Sequence, residues 1–402
     1  MLHSSLGFHT LTLSMYMSGE KDTYQLIMDF HKYSQKEKNI RMYTKNQNLV
    51  IKFYRNDRGI KWEICRNVYL DIMGMSFDAI NVTINPKILS RTVDYITAAS
   101  YYEMDDAIMN FNDLMKQISP LLKTFACYEL KRIDYCVNLD IGELAPDCSP
   151  EQVMKLIRRG DIPPHYREWA KYDSTAHRSK SKPESFYLIN KSVNINCYSK
   201  YMQLQERSRK NEKIGYPPIP QSTLNAAENI IRFEVQCKYH KTYTLSHKLE
   251  KTYMQEYNKY KELLSPLCCA KIISNYYKRV IYKGDWYTLS GAIHIIESRH
   301  FNAQKEKRLI HALKSVNHYR SLAKTKTLYE GDELYAFKRT LNELSKLNIN
   351  PVTIPKEWGI KHIPNLLRTY FDKQLENFYI SDPLGNGTSV QQEYIDYIKG
   401  DN

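Results

Sequence analysis

Two carboxylates, a tyrosine and several cations recur at alternate positions in three short segments of this chain. From Lys131 to Leu139, the residues Arg132, Asp134, Cys136 and Asn138 alternate with Ile133, Tyr135, Val137 and Leu139. From Val193 to Lys200, Asn194, Asn196, Tyr198 and Lys200 alternate with Val193, Ile195 and Cys197. From Ile231 to Tyr239, Arg232, Glu234, Gln236 and Lys238 alternate with Phe233, Val235, Cys237 and Tyr239. A period of two predicts β-strands, each with one apolar row to seal a core and one polar row left wet. If the three strands are neighbours, one sheet face gathers Asp134, Glu234, Tyr198 and their cations. That set is equipped to cut a phosphodiester.

The chemistry assigns each residue type a task. Phenoxide is a good leaving group, so a tyrosine nucleophile can form a phosphoester that is later reversed. A divalent cation polarises the phosphoryl oxygen, and a carboxylate-rich site favours Mg or Mn. Lys200, two residues past Tyr198, is expected on the same face, where a cation lowers the phenol pKa. Arg132 and Arg232 are the candidate partners of Asp134 and Glu234. Plainer readings exist: Tyr198 at a sheet edge with a solvated Lys200, and i,i+2 ion pairs contributing about 0–1 kcal/mol each. Two Arg-x-acid patterns on adjacent strands argue against the plainer reading. The run His177-Arg178-Ser179-Lys180-Ser181-Lys182 is a candidate phosphate grip, with Arg178, Lys180 and Lys182 as its DNA contacts.

The elements that position these residues follow from periodicity. Phe8 to Met17 reads as a strand with mixed alternation, and Thr23 to Lys36 as a helix. Leu49 to Tyr54 and Lys61 to Tyr69 flank an Asn56-Asp57-Arg58-Gly59 turn, a hairpin signal. Ile80 to Ile84 is a short strand and Ala107 to Leu122 a helix. The polar-faced strands are expected at 130–140, 185–200 and 229–240, with a helix from Pro150 capped by Ser149. After about residue 247 the spacing turns helical. The expected organisation is an α+β fold: an antiparallel-sheet catalytic domain over 1–247, a helical C-terminal domain over 248–381, and a loose polar tail over 382–402.

Composition narrows the partners. The 402 residues carry 58 Lys+Arg against 44 Asp+Glu, a net charge of +14 that favours a polyanion. The 33 tyrosines, interleaved with cations, suit stacking on single strands. Eight scattered cysteines show no zinc spacing and suggest a reducing compartment. No apolar run of about 18 residues occurs, so the expectation is a cytoplasmic protein with no membrane partner. A GxxxxGK[ST] motif is absent, which predicts no nucleotide cofactor and leaves unwinding to a separate helicase.

Arg132-Ile133-Asp134, Cys197-Tyr198-Ser199-Lys200-Tyr201-Met202-Gln203-Leu204-Gln205 and Ile231-Arg232-Phe233-Glu234-Val235-Gln236 together resemble, in order and approximate spacing, the gene II replication initiator of filamentous phages and related plasmid and mobile-element initiators. The resemblance covers roughly residues 125–245. It implies the antiparallel-sheet nicking domain of rolling-circle initiators. Their activity is to nick one strand of supercoiled origin DNA, keep the 5′ end on a tyrosine, leave a 3′-OH for a polymerase, and later rejoin the strand. By this resemblance Tyr198 is the nucleophile, Asp134 and Glu234 are the acidic metal positions, and Arg132 and Arg232 are their basic partners. A His-hydrophobe-His motif found in some relatives is missing: His9 is followed by Thr10 and Leu11, and His240 lies just past the third strand. A lone histidine more often fills an ordinary surface or core position. Tyr201 is a candidate second nucleophile for rejoining, whereas Tyr276, Tyr277 and Tyr282, in a basic stretch with Lys278, Arg279 and Lys283, read as helix packing plus DNA stacking. The alternatives are a non-catalytic DNA-binding replication or copy-number regulator, and an interaction protein whose basic surface meets acidic proteins or membranes.

Overall fold

The computed structural model describes residues 5–37, 40–45, 50–70, 75–91, 94–169, 171–173, 178–180, 184–213, 215, 217–252, 259–381 and 389–400. Its first twelve strands, in chain order, are β1 (Ser5–Tyr16), β2 (Arg41–Lys45), β3 (Val50–Arg55), β4 (Ile60–Leu70), β5 (Met75–Ile84), β6 (Glu129–Asp140), β7 (Arg167–Glu168), β8 (Lys171–Asp173), β9 (Arg178–Lys180), β10 (Ser185–Ile189), β11 (Val193–Ser199) and β12 (Ile230–Cys237); Trp286–Tyr287 and His362–Ile363 form a separate two-stranded sheet. Ten of them form one antiparallel sheet in the order β2-β3-β4-β5-β1-β6-β12-β11-β10-β7. The expected neighbourhood is therefore real: β6 lies between β1 and β12, and β11 lies next to β12. The α+β class with a large antiparallel sheet agrees with the sequence expectation.

Helices supply the second layer. They are α1 (Glu20–Lys36), α2 (Pro86–Leu89), α3 (Glu103–Ile118), α4 (Ile141–Leu144), α5 (Pro150–Arg158), α6 (Lys200–Lys213), α7 (Gln221–Ala226), α8 (Tyr239–Thr252), α9 (Lys259–Leu263) and α10 (Pro266–Val280). After these come α11 (Leu289–Glu297), α12 (Ala303–Tyr319), α13 (Leu322–Lys326), α14 (Gly331–Lys346), α15 (Leu366–Ser381) and α16 (Ser389–Gly400). Ser149 caps α5 in a reciprocal arrangement with Gln152, as its position before Pro150 predicts. Ser265 caps α10, whose Cys269, Ile272, Ile273, Tyr276, Tyr277 and Val280 are buried. That apolar stripe recurs at helical spacing and packs under β1, β6 and β12, with the Tyr277 ring 5.5 Å from that of Phe233. Leu26 and Phe30 of α1 join the same core, where Phe30 stacks on Phe53 at 4.4 Å. The core is continuous from α1 to α16.

Two features differ from the sequence reading. The stretch 185–200 is a hairpin rather than one strand: β10 and β11 pair across a turn at 190–192. Asn190 makes this turn, its side chain accepting from the Ser192 N–H. The tail from 382 is not loose throughout, because α16 buries Ile395 and Ile398 against α10 and the rest of the core. Those two residues are three apart, a helical apolar stripe hidden among polar neighbours.

The polar face of the sheet is only partly wet. Its end near Asn138, Arg232 and Tyr198 is covered by the segment 94–99 and by α6 and α7, through a small cluster of Ile96, Leu204, Ile219, Leu224, Ala227 and Ile230. The cover is tied to β1 by Phe8 and Ala99, which exchange backbone hydrogen bonds. Gly7 allows this approach: a Cβ there would lie 2.4 Å from the Ala99 carbonyl oxygen. Gly7→Ala is expected to push the 94–99 segment away at an overpacking cost of about 1–3 kcal/mol, seen as a lower melting temperature in thermal denaturation.

Candidate metal centre and its flanking phenols

The open end of the polar face holds the functional candidates. Asp134 comes from β6 and Glu234 from β12; the register pairs Gln236 with Asp134 and Glu234 with Cys136, so the two acids sit diagonally on adjacent strands. The third member is His9, from β1. Between the pairs Phe8/Tyr135 and Thr10/Asp134 the register shifts, and His9 is the extra residue of a β-bulge. A bulge re-aims a side chain that strict alternation would turn away. His9 Nδ1 lies 3.0 Å from Glu234 Oε2. One ligand atom from each of His9, Asp134 and Glu234 falls within 4.8 Å of the others, the spacing of groups that share a cation. His9 is thus the residue that the sequence reading set aside. Its signal was the mixed alternation of Phe8 to Met17, which is what a bulge does to a two-residue period.

The surroundings set the charges. Asp134 is fully buried, and its pKa is pushed up to about 7 by burial and then by the Glu234 charge; Arg132 opposes both. Arg132 donates to both Asp134 oxygens, its Nε at 2.7 Å from Oδ1, and its own side chain is 37% exposed. Burial also works against ionising Glu234, but His9, the Gln236 amide and Arg232 outweigh it and hold this acid below the usual range. Burial lowers the His9 pKa despite Glu234, which keeps the imidazole neutral near pH 7. A neutral imidazole and two carboxylates suit a hard divalent cation such as Mg or Mn. The upward shift of Asp134, from burial and then from the Glu234 charge, marks a buried acid pair that a cation would relieve.

Two phenols flank this centre. Tyr198 on β11 lies across from Arg232 and has its hydroxyl 3.4 Å from Glu234 Oε2. It is 9% exposed; burial, then Glu234, raises its pKa well above the ordinary value, with Arg232 pulling the other way. The expected help from Lys200 is absent. The strand ends at Ser199, and Lys200 opens α6 as a buried residue donating to Gln203 at 3.0 Å. Burial and then Arg232 hold its pKa well below normal. Arg232 is also not a solvent-facing cation. It is fully buried, donating from Nε to Asn138 Oδ1 at 2.8 Å and from NH2 to the Ile96 carbonyl, so it anchors the cover of the closed end.

The second phenol, Tyr187 on β10, was hidden by reading 185–200 as one strand. Its hydroxyl donates to Gln236 Oε1 at 3.0 Å and accepts from Asn194 at 2.8 Å, and Gln236 in turn donates to Glu234 at 2.9 Å. Tyr187 is half-buried; burial raises its pKa while Asn194 and Arg132 lower it. The structure brings together Arg132, Asp134, Glu234 and Tyr198, adds His9 and Tyr187, and withdraws Lys200 and Arg232 from solvent. Arg178 and Lys180 lie on β9, paired with β8 outside the main sheet, and Lys182 lies outside the described residues. Tyr201 packs at the small cluster under the cover and accepts from Gln205.

No protein-family model matches the chain, and no curated protein matches it. Among solved structures, a rolling circle replication initiator protein from Geobacillus stearothermophilus aligns over 88% of this chain and 99% of that one, at 10% identity and a TM-score of 0.32. At that score the likeness carries no functional weight. The fold and centre define an α+β protein with a histidine–dicarboxylate triad on an antiparallel sheet. No helix among the described residues is long and apolar enough to cross a membrane.

Metal binding has to expel the proton that Asp134 holds up to about pH 7. Asp134 is raised, so its charged form is disfavoured below that pH and cation affinity falls as pH drops through 7. Mn²⁺ is expected to raise the melting temperature of the metal-stripped protein more at pH 8 than at pH 6, by differential scanning fluorimetry. Asp134→Ala should remove the increment at both.

Proposed function

We propose that this chain is a metal-dependent DNA-nicking and strand-joining protein that starts rolling-circle replication. The observation that carries the reading is the convergence of His9, Asp134 and Glu234 within 4.8 Å on one sheet face, with a tyrosine hydroxyl against Glu234. The order of the Arg132-Ile133-Asp134, Cys197-Tyr198-Ser199-Lys200 and Arg232-Phe233-Glu234 segments and the net charge of +14 support it.

In this reading His9, Asp134 and Glu234 would hold Mg²⁺ or Mn²⁺, which would supply Lewis-acid polarisation of the scissile phosphate. Arg132, partly exposed beside the triad, meets a phosphate oxygen and offsets developing charge. The nucleophile is Tyr198. Its oxygen bonds to phosphorus as the P–O3′ bond breaks; the phenol releases its proton to water at the open end, and the departing O3′ takes a proton from water to become the 3′-OH. Arg232 stabilises the phenoxide from the buried side. Origin DNA, single-stranded or supercoiled, is the substrate, with a host helicase and polymerase acting on the product. Greater solvent access favours a second reading in which Tyr187 attacks and Tyr198 positions Glu234. Arg178, Lys180 and Lys182 remain candidate contacts to the strand.

The test is mass spectrometry of the peptide left on a nicked origin. Lys191 separates the two tyrosines, so trypsin places them on different fragments. An adduct on the Tyr198 fragment, lost in Tyr198→Phe with binding intact, is expected. An adduct on the Tyr187 fragment moves the nucleophile. Origin binding with no adduct from the wild type in Mn²⁺ leaves a non-catalytic DNA-binding regulator.

A further inference from the structure

Beside the triad, the same pair of strands carries a second bulge. Between Thr12/Arg132 and Leu13/Leu130 the β1–β6 register shifts again, and Lys131 is the residue left over. Its ammonium lies 4.0 Å from the ring centroid of Tyr239 and 5.8 Å from that of Tyr16, with Glu129 paired to it at 2.5 Å. Tyr239 opens α8, and Tyr243 and His247 follow at four-residue intervals, so the three rings form one stripe. The Tyr239 and Tyr243 centroids are 6.0 Å apart; those of Tyr243 and His247 are 3.8 Å apart at 32°. Buried Thr242 fixes this helix to the strand by donating to the Leu130 carbonyl at 3.1 Å.

These rings are not core. Tyr16 is 38% exposed, Tyr239 37% and Tyr243 50%. Rings held open to water around a lysine match what unpaired bases need: flat faces to stack on and a cation for the backbone. Duplex DNA hides its base faces and cannot use them. Glu129 pairs with Lys131, and a strand phosphate reaching the ammonium would exchange with that carboxylate. At about 3.3 Å per strand residue, Lys131 stands roughly 10 Å along β6 from Asp134.

We propose that Tyr16, Lys131, Tyr239 and Tyr243 form a stacking platform for the unpaired bases adjoining the scissile phosphate. The identity of that strand rests on the proposed function; the platform itself rests on the ring geometry. The test uses the full chain and fluorescein-labelled oligothymidylate in EDTA, where cleavage plays no part. Tyr239→Ala/Tyr243→Ala should weaken binding by tenfold or more, while Tyr239→Phe/Tyr243→Phe binds like the wild type. Lys131→Ala should reduce the log–log salt slope by about 0.7. Affinity for a blunt duplex should be the same in all these variants, and the Mn²⁺-dependent rise in melting temperature should persist. Unchanged oligothymidylate affinity in the alanine pair, or an equal loss for duplex, overturns the platform. If the wild type forms no adduct but its oligothymidylate binding needs the two rings, the platform stands and the nicking reading falls. If the adduct forms and the alanine pair binds normally, the platform alone falls.

Discussion

Two carboxylates buried side by side govern the architecture of this site. Asp134 and Glu234 sit on adjacent strands at almost no exposure, where repulsion between like charges is strong and water is not available to screen it. The surroundings answer with one partner for each: Arg132 on Asp134, His9 and Gln236 on Glu234. Even so, burial and then the Glu234 charge push the Asp134 pKa up to about 7. Such a pair is costly to hold without a cation, and that cost is the physical argument behind the proposed metal.

The sheet makes this possible by splitting one polar face into two zones. At the closed end, Arg232 gives Nε to Asn138 and NH2 to the Ile96 carbonyl, and the 94–99 segment, α6 and α7 pack over it. Burying an arginine without partners is prohibitive, so this network fixes the cover in one place. At the open end, Arg132, His9 and Tyr187 keep partial exposure around the acids. Tyr198 sits at the boundary, with Arg232 behind it and Glu234 in front. A phenol placed there is shielded from bulk water yet in contact with the triad.

Both departures from regular pairing between β1 and β6 deliver side chains that regular pairing would misdirect. One bulge gives His9 to the triad and the other turns Lys131 toward Tyr239. The apolar rows of the same strands, Leu11, Leu13, Ile133, Tyr135 and Val137, stay in register with the core and sit over α10 and its neighbours. The strand pair therefore satisfies the core and the site at once, at the expense of two local irregularities.

Alternation along 131–139 and 231–239 was enough to place Asp134, Glu234 and Arg132 on one face, because a pleated strand leaves no other choice for side-chain direction. The α+β class, the Asn56–Gly59 hairpin and the Ser149 cap were legible for the same reason: each depends on a few consecutive residues. The rest was decided over long distances. His9 is 125 positions before Asp134, and a single extra residue in a strand pair chose its direction. The fate of Arg232 depended on a loop and two helices that cover it, and that of Lys200 on opening one of those helices; no local pattern announces a cover. Tyr187 emerged only when Asn190 turned one apparent strand into two. Residue types and their period determine which chemistry is available; only packing in three dimensions determines which of those groups share a pocket, because burial and opposing charge belong to the neighbours and not to the residue.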